Sequence, residues 1–106
     1  MKVKINPIKI GHKWIGEKKP CYVIAEIGSN FNDDINLAKK LIKKAKDAGA
    51  DAVKFQSFQV DKILSKRGFE KKVSFQSQWK KSVWQVYKEA ELPLEWISKL
   101  SEYFFI

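Results

Sequence analysis

Two short apolar runs stand out in the pattern of the chain, Tyr22-Val-Ile-Ala-Glu-Ile-Gly28 and Ala52-Val-Lys-Phe-Gln-Ser-Phe58, with one amphipathic stretch between them. Both are rich in β-branched or aromatic residues and are interrupted by polar residues toward their C-terminal ends. A parallel strand covered on both faces reads as an almost unbroken apolar run, so the interruptions carry information. Alternation puts Ile24, Glu26 and Gly28 on one face of the first strand, and Ala52, Lys54 and Gln56 on one face of the second. Val23, Ala25 and Ile27, with Val53 and Phe55, then form the opposite, wholly apolar face, suited to packing against helices. Between the runs, Leu37, Ala38, Leu41, Ile42, Ala45 and Ala48 recur at three- and four-residue spacing, the stripe of a helix docked on a sheet. Asn32 to Asp34 offer capping oxygens at its start, and Gly49 supplies its stop. Strand, helix and strand make one right-handed βαβ unit. In a barrel of such units the polar strand ends face the active-site mouth.

The flanks extend this unit. Val3, Ile5, Ile8 and Ile10 alternate, and Gly11-His12-Lys13 turns into Trp14-Ile15-Gly16, which predicts a β-hairpin. Glu17 to Pro20 is a polar connector into the first buried strand. Beyond the second run, Phe58 to Phe69 loses periodicity and reads as a long loop on the side of Glu26 and Lys54, where barrel enzymes place substrate contacts. A turn at Gly68 and the stretch Lys71 to Ser77 lead to a helix from about Trp79 to Ala90, with Val83, Trp84, Val86 and Tyr87 on its apolar side. Leu92-Pro93 ends it. Pro93, as a first helical residue, starts another helix carrying Trp96, Ile97, Leu100, Phe104 and Phe105. At these spacings the tryptophans read as core residues before they read as a ligand cage.

Composition narrows the function classes. A chain of 106 residues is one domain at most, with a modest core. It has no apolar stretch of the ~20 residues that span a bilayer and no apolar signal region behind its N-terminus, so a cytoplasmic protein without a membrane partner is expected. The single Cys21 reads as a reduced residue at a strand start, and His12 has no second His or Cys at ligand spacing. Lys and Arg total 21 against 12 acidic residues, a formal charge of +9, which raises nucleic-acid binding as a hypothesis. However, Lys39, Lys40, Lys43, Lys44 and Lys46 occupy the polar side of the amphipathic helix, the pattern of a solvated face, which disfavours a nucleic-acid partner. No Gly-rich phosphate loop, paired cysteines or Ser/His/Asp arrangement is present. The chemistry therefore rests on Glu26 and Lys54. They read either as an ion pair without chemistry or as a charged pair at a site, and their joint placement at strand ends favours the second.

The stretches Cys21-Tyr-Val-Ile-Ala-Glu-Ile-Gly-Ser-Asn30, Ala48-Gly-Ala-Asp-Ala-Val-Lys-Phe-Gln56 and Glu91-Leu-Pro-Leu-Glu-Trp96, taken together, closely resemble the N-terminal part of the sialic acid synthase family. This group comprises N-acetylneuraminate, legionaminate and pseudaminate synthases. The resemblance runs from about residue 7, where Ile8-Lys-Ile-Gly11 and Ile15-Gly16 match the family's N-terminal hairpin, to about Tyr103. It implies an α/β fold of TIM-barrel type, here incomplete: a hairpin over 1–20 and the first two βα units over 21–106. The implied reaction condenses phosphoenolpyruvate with an N-acylated amino sugar of the N-acetylmannosamine type, releasing phosphate and forming a nine-carbon 2-keto acid. The resemblance also implies Glu26 and Lys54 as catalytic residues and Lys54, Gln56 and Asn30 as substrate-binding residues. It further implies a divalent metal, Mn or Mg, whose histidine ligands lie in strands downstream of these residues, and a homodimeric full-length protein. Physical chemistry agrees with the carry-over, since a trianionic substrate needs a weakly screened cation and a carboxylate can orient a sugar hydroxyl.

Two features depart from the family pattern. Where members commonly read Asn-His-Asn-Gly after the first strand, this chain reads Asn30-Phe31-Asn32-Asp33, and a phenylalanine neither donates nor accepts a hydrogen bond. A barrel needs eight strand–helix units and ~250 residues, whereas this sequence supplies two units and stops at Phe104-Phe105-Ile106. A truncated coding sequence or partial fragment is therefore expected, inactive in isolation and prone to aggregate through unpaired strand edges. Competing expectations are a 3-deoxy-sugar-acid synthase and a non-catalytic basic binding module.

Overall fold

The computed structural model describes residues 2–70, 78 and 80–105. The N-terminal segment forms the expected hairpin, β1 (Ile8–Ile10) and β2 (Lys13–Ile15), paired antiparallel with Ile10 opposite Lys13. That register leaves Gly11 and His12 as a two-residue turn, and Gly11 takes φ of 57°, the left-handed value a type II′ turn asks of its first central residue. Trp14 is not a core residue: it is 48% exposed, with the Lys9 ammonium over its ring.

The two apolar runs become β3 (Ile24–Gly28) and β4 (Ala52–Phe55), parallel neighbours joined through α1 (Ile35–Asp47). α1 begins where Asp34 accepts a hydrogen bond from the Asn36 amide, a side-chain N-cap. It ends in a Schellman arrangement. The Ala50 amide donates to the Ala45 carbonyl and the Gly49 amide to the Lys46 carbonyl, with Gly49 at φ of 93°, a conformation that glycine adopts without a Cβ penalty. The apolar stripe of α1 buries Ala38 and Ile42 and half-buries Ile35 and Leu41. Ile27, Phe31, Leu92 and Leu100 complete this core, and Val53, Phe55 and Trp96 pack at its margin.

The β3–β4 register carries one irregularity. Glu26 is opposite Lys54, but Gly28 is opposite Phe55, so Ile27 is an extra residue on β3. Strict alternation, which would set Gly28 level with Gln56, is broken there. The apolar face is also less covered than alternation alone implies: Ile27 is buried, Ala25, Val53 and Phe55 are half-buried, and Val23 is 49% exposed.

Beyond β4 the expected long loop is instead two short helical turns, α2 (Val60–Ile63) and α3 (Lys66–Phe69). Four-residue helices are too short to show a period. Gly68 is not a turn but part of α3, its amide donating to the N-capping Ser65 hydroxyl. The expected stretch Lys71 to Ser77 and Trp79 lie outside the described residues. α4 (Val83–Glu89) starts later than position 79, at a capping box in which Ser82 and Gln85 exchange side-chain and backbone hydrogen bonds. α5 (Trp96–Phe105) follows a turn in which the Trp96 amide donates to the Pro93 carbonyl, so Pro93 precedes the helix rather than occupying its first position. Val83 is buried and Trp84 half-buried under the Lys66 ammonium. The radius of gyration, 18.5 Å, exceeds the ~13 Å expected for a compact domain of about this length. This shape, with its exposed apolar residues, marks an open structure in which many apolar faces meet water. Among the described residues no helix is long and apolar enough to cross a membrane.

Candidate functional site

Glu26 and Lys54 sit one residue from the bulge, on adjacent parallel strands, and their directly opposed register brings the side chains together. Lys54 Nζ lies 2.9 Å from Glu26 Oε2. Both remain in contact with water, with 67% of the Lys54 side chain and 54% of the Glu26 side chain exposed. An ion pair this exposed contributes only about 0–1 kcal/mol to stability, so the pair does not hold the strands in place.

The loop leaving β3 is built around Gly28. Its φ is 61°, and a Cβ there would stand 3.5 Å from Glu26 Oε1 and 3.9 Å from Asn30 Nδ2. The Glu26 carboxylate and the Asn30 amide thus flank the same small space. Asn30 closes the loop as well, its backbone amide and its Nδ2 both donating to the Ile27 carbonyl at 3.2 and 2.9 Å. Gln56 joins through its backbone: its amide donates to the Gly28 carbonyl at 3.0 Å, which continues the β3–β4 ladder past the bulge. Its side chain is exposed. The four residues singled out from sequence therefore gather at one end of the two-stranded sheet, Glu26 and Lys54 in direct contact, Asn30 and Gln56 through Gly28.

Three further residues set this geometry. Phe31 has no solvent exposure, and its ring meets Phe55 at 6.1 Å and Trp96 at 5.8 Å. It pins the loop that carries Gly28 and Asn30 onto the core, so this position is structural here, and the apolar residue fits it. Glu91 accepts from the Val60 amide at 2.7 Å while pairing with Lys88, tying the α4–α5 connection to the start of α2, just beyond Gln56. At the opposite end of the strands, the Asp51 carboxylate accepts from the Val23 amide at 2.8 Å and pairs with Lys13. The Lys13 ammonium, helped by the Val23 amide, holds the Asp51 carboxyl below its ordinary value. The ties from Asp51 to Lys13 and from Glu91 to Val60 carry no local signal, because they span 38 and 31 residues.

His12 is exposed in the hairpin turn and Cys21 is free and exposed. Among the described residues, no three His, Cys, Asp or Glu side chains gather in a way that could hold a metal ion. A cleft of about 650 Å³ runs along β4 to α5, and neither Glu26 nor Lys54 lines it.

Residues 41–104 match the NeuB family. N-acetylneuraminate-9-phosphate synthase of Mus musculus is 33% identical over 91 residues, covering 86% of this chain and 25% of that protein. N,N'-diacetyllegionaminic acid synthase of Legionella pneumophila is 49% identical over 63 residues, covering 59% of this chain and 17% of that one. The crystal structure of N-acetylneuraminic acid synthetase from Leptospira borgpetersenii, in complex with citrate, superposes with a TM-score of 0.74 at 28% identity over 94% of this chain and 30% of that chain. The chain spans about a quarter of the length of the curated relatives it matches. The family match runs through most of α1, all of β4 and nearly all of α5, the elements that carry Lys54 and back the sheet, and the chain belongs to the NeuB family.

Proposed function

We propose that this chain forms the first part of a TIM-barrel synthase that joins phosphoenolpyruvate to an N-acylated amino sugar, with phosphate release and formation of a nonulosonic acid. The observation that carries this reading is the Glu26–Lys54 contact of 2.9 Å at the ends of two parallel strands, where barrels of this type place their chemistry. The relatives are synthases of sialic and legionaminic acids, which supports the reaction class.

In this reading Lys54 binds an anionic group of phosphoenolpyruvate, and Glu26 holds the ammonium in place while accepting a hydrogen bond from a sugar hydroxyl. Asn30 and Gln56 supply neutral polar contacts beside them. The ammonium is worth little while it faces water: at 4 Å two unit charges gain about 1 kcal/mol in bulk solvent and about 4 kcal/mol at the effective dielectric of a protein surface. Enclosure is what turns this pair into a site. The divalent metal implied by the resemblance would polarise a reacting oxygen, and the described residues do not assemble a ligand set for it. Its ligands belong to the portion of the family chain that these residues do not span. The 106-residue chain alone is accordingly expected to bind without turning over.

The test is phosphate release from phosphoenolpyruvate with N-acetylmannosamine and manganese, by this chain alone and by a full-length family chain carrying these residues. Activity only in the longer protein, reduced by Lys54→Ala by about 10²-fold or more, supports the reading. Undiminished activity of Lys54→Ala overturns it. The 49% identity to the legionaminic acid synthase favours, as a second reading, a diacylated amino sugar, and direct competition between the two sugars decides.

A further inference from the structure

We propose that the N-terminal hairpin and its connector form a binding site for a nucleoside monophosphate, with the base against Trp14 and Tyr22 and the phosphate at Lys19. The site lies at the end of β3 and β4 away from Glu26 and Lys54, and it stands apart from the synthase reading. Residues 13–22 are cinched into a loop at one point. The Lys13 ammonium pairs with the Asp51 carboxylate, and the Val23 amide donates to the same carboxylate at 2.8 Å, so both ends of the stretch meet on one side chain. The chain between them is held as well. The Lys19 amide donates to the Gly16 carbonyl at 3.1 Å, and a Cβ at Gly16 would stand only 3.0 Å from Pro7 Cβ, so the end of the hairpin is packed against the segment before it. This loop borders a cavity of about 270 Å³ lined by Lys13, Trp14, Lys19, Pro20 and Tyr22.

The lining selects the ligand. Trp14 is 48% exposed and Tyr22 half-buried, and with Pro20 they offer flat apolar surface that a planar ring covers by stacking. The Lys9 ammonium stands 5.8 Å from the centre of the Trp14 ring, a cation–π contact that adds charge beside the same surface. Asp51 neutralises Lys13, whereas no acidic side chain pairs with Lys9, Lys18 or Lys19 among the described residues. Glu17 is the single acid of the connector. Ammonium groups in surplus beside two aromatic rings attract a phosphate dianion carried on a planar ring. The cavity is smaller than the ~300–1,000 Å³ of sites that enclose a drug-sized ligand. It therefore takes the base and leaves the ribose and phosphate outside, on the side of the lysines. Stacking is tolerant of base identity because every base has a π-face, so the ligand is a class rather than one nucleotide. An exposed tryptophan and an excess of lysine, both unused by the synthase reading, acquire a role together.

The test titrates the 106-residue chain with adenosine 5′-monophosphate and follows the Trp14 indole and Lys19 amide signals by NMR. Saturable shifts at both are expected. Adenosine and ribose 5-phosphate, each lacking half of the ligand, should bind at least about tenfold more weakly. Trp14→Ala should weaken binding at least about fivefold, and Trp14→Phe, which keeps a ring, should recover most of the loss, a pattern that mere opening of the hairpin does not give. Lys19→Gln should weaken binding about threefold or more, whereas Lys46→Gln, at an exposed position of α1, should not. Ribose 5-phosphate binding as tightly as the nucleotide, binding indifferent to Trp14→Ala, or no saturable shift at about 10 mM nucleotide overturns the site. A polyadenylate strand that binds more tightly per nucleotide and moves the α1 lysines along with the hairpin marks a general polyanion surface and overturns it too. Nucleotide binding lost in Lys54→Ala places the ligand at the Glu26–Lys54 pair instead and is the remaining contrary result.

Discussion

Truncating Phe31 to Ala gives the most direct check on how the loop after β3 is held. The side chain is fully buried and touches two further rings, Phe55 at 6.1 Å and Trp96 at 5.8 Å. Removing a buried phenylalanine costs about 3–5 kcal/mol through lost transfer energy and the cavity left behind. A domain of this size has about 5–15 kcal/mol of stability in total, and an open structure lies at the low end, so Phe31→Ala should remove half of it or more. Phe31→Leu keeps most of the apolar volume but loses two ring contacts of about 0.5–1.5 kcal/mol each, for about 1–3 kcal/mol. Phe31→His puts a polar N–H against the rings of Phe55 and Trp96, and if left unpaired there it costs about 1–3 kcal/mol beyond the lost packing. Urea unfolding followed by tryptophan fluorescence reads the series directly, since Trp96 packs edge-on against Phe31. With a urea slope of about 1–3 kcal/mol per molar, Phe31→Ala should lower the midpoint by more than about 1 M. A loss below about 1 kcal/mol, or one no larger than for Val86→Ala at a 38% exposed position, would refute the placement of this ring in the core.

Two further outcomes follow from contacts distant in sequence. The Asp51 carboxyl sits below its ordinary value of 3.8 because of Lys13 and the Val23 amide. A carboxyl lowered on folding gives stability that is complete above its unfolded value and disappears as pH falls through the folded one. The hairpin should therefore stay docked at about pH 5 and loosen in acid below about pH 4, as read by the amide signals of Lys13 and Val23, and Asp51→Asn should abolish that dependence. Glu91→Ala leaves the buried Val60 amide without its acceptor and should cost about 1–3 kcal/mol, with faster amide exchange at Val60, while Glu91→Gln, which keeps an acceptor, should recover most of the loss.

How far the sequence could be read depended on whether each contact was local. The βαβ unit was legible because α1 is long enough to show its period and Gly49 closes it with a motif that needs a positive φ. The meeting of Glu26 and Lys54 was legible because parallel pairing sets strand positions side by side. The bulge at Ile27 was not, for although Gly28 follows it, the extra residue is defined only by the partner strand. Ser82 and Gln85 form a capping box at the spacing that betrays a helix start, so the true beginning of α4 is present in the sequence, upstaged by the apolar signal of Trp79. Phe31 shows the reverse. Its lack of polar atoms reads from sequence as a function lost from the loop, while the structure uses that same property to fill the core.

The same strand joins the fold to the site. Lys54 projects from β4, which pairs with β3 on one edge only among the described residues, and 67% of its side chain meets water. The pair adds little to stability in that state, because solvent screens both charges. On the proposed reading, enclosure of Glu26 and Lys54 away from bulk water would be what gives the pair its strength, since the same contact gains about four times more at the effective dielectric of a protein surface than in water.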